Sequence, residues 1–138
     1  MIDPEAFETA LVDELTPLLT SWDVKVNDYK VETPGSAIVE FVDSERTYAG
    51  AEGDPRTSRP SAPEATVNLT VTFVTDRQAA RGTLGELDSA LMRACANLRE
   101  SRREEWLFHR FDSIEQDPEA ENPTRVLVAS IEVRLIIS

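Results

Sequence analysis

The chain has 138 residues, 41% of them hydrophobic, and carries 26 acids against 14 bases for a net charge of −12. That length fits one domain, able to bury roughly two thirds of its unfolded surface. The charge balance excludes sequence-independent binding to a phosphate backbone, which needs the opposite sign.

No apolar run is long enough to span a membrane as a helix. Met1-Ile2-Asp3-Pro4-Glu5 is acidic, whereas a secretory signal needs a basic start and an apolar run. The expectation is a chain made and used in the cytoplasm without a membrane anchor. A single cysteine, Cys95, rules out an intramolecular disulfide. The acids concentrate early: 14 acids and 5 bases precede Thr66, and 12 and 9 follow from there. Only Lys25 and Lys30 are lysines. Few lysines among many acids fits a halophilic protein, whose acidic surface is screened by salt. It fits equally an acidic protein from an arginine-rich genome.

In chain order, Asp3 is a good N-cap, with Pro4 at the first helical position and Glu5 beside the positive helix end. Ile2 and Phe7 have the spacing of a hydrophobic staple. Phe7, Ala10, Leu11, Leu15, Leu18 and Leu19 fall on one helix face, and Pro17 should kink that helix or start a fresh turn capped by Thr16. Glu8, Asp13 and Glu14 read as its solvated side. Trp22, Val24 and Val26 alternate with Asp23 and Lys25 as a strand that continues through Tyr29 and Val31, with a bulge near Asn27-Asp28. Pro34-Gly35 marks a turn, and Ala37 to Val42 is a second strand.

Asp43 to Ala65 differs from its surroundings. It holds Gly50, Gly53, Pro55, Pro60 and Pro63 among acids, with Tyr48 as its only aromatic. A loop of this length is functional or disordered, and its ends are able to extend the flanking strands into a hairpin arm. Val67, Leu69, Val71 and Phe73 then alternate with Thr66, Asn68, Thr70 and Thr72, a half-buried strand around which the fold should form. Thr83-Leu84-Gly85-Glu86 reads as a capping box opening a helix. Its stripe is Leu87, Leu91, Ala94, Cys95 and Leu98, in which Cys95 serves as a small buried hydrophobe. Arg99, Arg102 and Arg103 suit the helix C-terminus and pair with Glu100, Glu104 and Glu105. Trp106 to Ile114 is a strand, Asp117 to Pro123 an acidic turn, and Val126 to Ile137 a closing strand with Leu127, Ala129, Ile131 and Val133 on one face. The closing strand and the Trp106 strand are both candidate sheet edges. The order of elements predicts one α+β domain over residues 1–138: a mainly antiparallel sheet, two helices packed on it, and a long polar hairpin arm at 43–65.

No constellation carries chemistry. His109, the only histidine, lies between Phe108 and Phe111 without a second ligand at metal spacing. There is no phosphate-binding glycine loop and no zinc pattern. Acid clusters at Asp43/Glu45, Glu52/Asp54 and Asp117/Glu119/Glu121 lack calcium-loop spacing. The chain is expected to be no enzyme and to hold no cofactor or metal.

The layout resembles the tail terminator and tail completion (neck) proteins of tailed viruses. The residues that carry the resemblance are Ala37-Ile38-Val39-Glu40-Phe41 before the polar arm, and Val67 to Phe73 before the helix through Leu98. Phe108-His109-Arg110-Phe111, the acidic turn and the closing strand complete it. The resemblance covers nearly the whole chain but is one of pattern, without a catalytic motif. It implies a virion protein at the tail–neck junction: a self-assembled ring, commonly a hexamer, on the head-proximal end of the tail tube. Its partners would be the tube protein and the neck or connector proteins, and DNA would pass through without specific binding. Glu45, Arg46, Tyr48, Glu52, Asp54, Arg56 and Arg59 on the arm are then the candidate subunit or partner contacts. Another neck component, or a small ligand-binding domain with a pocket lined by Trp22, Tyr29, Trp106 or Phe111, are the alternatives.

Overall fold

The computed structural model describes residues 2–26, 35–48, 63–76, 80–102, 104–116 and 124–136. Its elements are α1 (Pro4–Leu18), β1 (Asp23–Val26), β2 (Ser36–Tyr48), β3 (Pro63–Asp76), α2 (Ala80–Arg102), β4 (Glu105–Gln116) and β5 (Thr124–Ile136). The strands form one sheet in the order β1-β2-β3-β5-β4. Only β1 and β2 run parallel; every other pair is antiparallel. The α+β class is therefore the observed one, with both helices on one face of a mostly antiparallel sheet.

β3 is the middle strand, as its alternation requires. Val67, Leu69, Val71 and Phe73 are fully buried against the helices, while Thr66, Asn68, Thr70 and Thr72 are half-exposed on the opposite face. Each buried aliphatic or aromatic side chain contributes about 1.5–3 kcal/mol relative to exposure. Leu127, Ala129, Ile131 and Val133 of β5, with Ala37 and Val39 of β2, complete the sheet side of the core. Phe7, Leu11 and Leu15 of α1 and Leu87, Leu91, Ala94, Cys95 and Leu98 of α2 form the helix side. Aromatic rings tie the layers together: Trp22 meets Phe73 edge-on at 5.4 Å, Phe73 meets Phe111 at 6.2 Å, and Phe7 lies 6.0 Å from Trp106.

The helix starts follow local chemistry. Asp3 Oδ1 accepts the Glu5 amide at 3.1 Å, so the cap forms, and Ile2 packs on the core that also holds Phe7. Pro17 neither starts a fresh turn nor makes Thr16 a cap. α1 runs through to Leu18, and Thr16 Oγ1 donates to the Val12 carbonyl at 2.7 Å instead. Pro17 removes the amide that would donate to the Asp13 carbonyl, one residue from the helix end, and the helix still continues to Leu18. α2 begins at Ala80, so Thr83 lies inside the first turn rather than capping it. At the other helix end, Arg102 pairs with Glu104, while Arg99 Nη1 donates to the Trp106 carbonyl at 2.7 Å.

The closing strand is not a sheet edge. β5 is paired on both sides, with β3 from Glu64 to Asp76 and with β4 from Glu105 to Gln116. β4 is the outer strand, and β1 is the opposite one. β2 also runs past its expected end at Val42, through a bulge there, to pair Tyr48 with Pro63. Gly35 turns the chain into β2 at φ 94°, a conformation only glycine takes without strain. Its amide donates to the Val74 carbonyl at 2.8 Å, and its carbonyl accepts the Asp23 amide at 2.9 Å. The expected bulge at Asn27-Asp28, Tyr29, Val31 and Pro34 lie outside the described residues.

Phe73→Ala is expected to cost about 3–5 kcal/mol, read in urea as a lower midpoint with an unchanged slope. Leu84→Ala, at an α2 position 41% exposed, is expected to stay within about 0.5 kcal/mol of the parent. Equal losses at both positions would contradict this packing.

Candidate interaction surface

Among the described residues the sheet has two outer strands, β1 and β4. β1 is short and covers β2 only from Ser36 to Val39. Beyond it, β2 has no strand beside its outer edge among the described residues. The outer edge of β4 is equally without a strand neighbour among them. Unpaired edges present rows of backbone donors and acceptors, ready to pair with another chain.

The first amide past β1 is satisfied from within the chain. Phe41 N donates to Glu8 Oε2 of α1 at 3.1 Å. Glu8 is only 7% exposed, so the solvated role expected for it is wrong. β1 ends at the Val26–Val39 pair, two residues short of Phe41, and α1 crosses where the ladder stops. Among the described residues a carboxylate stands there in place of a strand partner. No local signal announces this, because the two residues are 33 positions apart. Glu14 is also engaged, accepting from Asn97 Nδ2 of α2 at 2.7 Å. An open pocket of about 300 Å³ adjoins Glu8, lined by Glu5, Thr9 and Val26.

The β2–β3 ladder runs on where the core ends. Val42, Asp43, Ser44 and Glu45 are all exposed, although Ser44 pairs with the fully buried Val67. Asp43 Oδ1 accepts from Asn68 Nδ2 across the ladder at 2.7 Å. Among the candidate contacts, Glu45 is exposed and pairs with Thr66, while the backbones of Arg46 and Tyr48 pair with Ala65 and Pro63. These three share one strand end. Glu52, Asp54, Arg56 and Arg59 lie outside the described residues, as do two of the three acid clusters.

The face away from the helices is polar across its middle. One row runs Glu40, Thr70, Ser130, Arg110 from β2 to β4; the next runs Asp43, Asn68, Glu132, Leu107. Glu132 Oε2 lies 3.2 Å from both His109 Nε2 and Arg134 Nε. His109 is thus a half-exposed surface residue held by a carboxylate. Among the described residues no group of three or more His, Cys, Asp or Glu is placed to hold a metal. Cys95 is buried, and burial pushes its thiol up to about 11 against the smaller opposing pull of Arg99. It stays protonated at neutral pH, the inert form of the thiol. Trp22, Trp106 and Phe111 pack in or against the core and do not line the described pocket. No described helix is long and apolar enough to cross a membrane.

No protein-family model matches the chain, and no curated protein sequence is similar to it.

Glu8→Ala strips the Phe41 amide of its acceptor. The expected cost is about 1–3 kcal/mol, with faster hydrogen exchange at Phe41. Glu8→Gln keeps a carbonyl oxygen of the same reach and is expected to lose less. An exchange rate at Phe41 that ignores Glu8→Ala would rule out this cap.

Proposed function

We propose that this chain is a structural subunit of a tailed-virus particle, a tail terminator that closes into a ring on the head-proximal end of the tail tube. The ring, six copies by family resemblance, stops tube growth and offers its far side to the neck. The observation that carries this reading is the β2–β3 ladder outrunning the core. Its pairing continues to Tyr48 and Pro63 while Val42 to Glu45 stand exposed. A rigid, paired base is what an arm needs to reach a neighbouring subunit, because ordering costs have already been met on folding.

Polymerisation stops when the last open interface is covered by a surface that does not recreate it, and a closed ring of head-to-tail contacts does this. The net charge of −12 suits a lumen that carries DNA without holding it. The described aromatics among the pocket candidates pack on the core, which favours an assembly role over a small ligand-binding domain.

Size measurement tests the reading, with the chain alone and with tube protein. One closed species of about six copies is the expected result, as cyclic assemblies have a fixed number of subunits. Deleting Glu45 to Pro63 should leave a folded monomer with a cooperative melt and no ring. A chain that remains monomeric and binds neither tube nor neck protein would sink the proposal.

A further inference from the structure

We draw no further inference here: the strongest candidate, the open pocket of about 300 Å³ between α1 and the end of β1, is an acidic cluster of Glu5 and Glu8 beside Thr9 and Val26, and nothing else among the described residues points to a ligand there, since the buried Glu8 already accepts the Phe41 amide.

Discussion

The pairing of β3 with β2 on one side and β5 on the other fixes which side chains reach the helices. β3 is held to β5 from Glu64 to Asp76 and to β2 from Pro63 to Phe73. Its alternation is strict: Val67, Leu69, Val71 and Phe73 inward, Thr66, Asn68, Thr70 and Thr72 outward. A slip of one residue would turn threonines into the core and valines to water, so the register has one favourable value. Both helices then read the same apolar surface. α2 lays its stripe from Leu87 to Leu98 on it, and Trp106 with Phe7 fills the gap beside α1.

That hub leaves the margins of the sheet as the adjustable part. On the β2 side, α1 ends the ladder with a single buried carboxylate, Glu8 on the Phe41 amide. One side chain thus links the position of a helix to the state of a strand edge. Past that point the strand leaves the core and stays paired with β3 as far as Tyr48. On the β4 side nothing similar is present among the described residues, and Arg110 stands exposed. The two margins differ in cover and run in opposite senses.

Much of this was legible in the sequence where the cause is local. The period of two in β3 and β5, the Asp3 cap and the Leu87 to Leu98 stripe each depend on neighbours a few residues away. Strand order does not, and the closing strand proved interior rather than an edge because β4 folds back outside it. Glu8 looked solvated because its partner lies 33 residues on. α2 starts at Ala80, upstream of Thr83, and runs through Gly82 despite its low helix propensity. Of the candidate contacts, Glu45 is exposed towards the end of β2, and Arg46 and Tyr48 lie on the same strand. A partner's surface lies outside the chain, and a single sequence bears on it only through charge and pattern.

The central claim is a core centred on β3, with Glu8 of α1 closing the β2 edge at Phe41. Amide hydrogen exchange on the parent and on Glu8→Ala tests it most directly. The account predicts that β3 and β5 exchange slowest in both, and that Phe41 loses protection in the variant while β3 keeps its own. Unchanged protection at Phe41 in Glu8→Ala, or faster exchange in β3 than in β4, would contradict it.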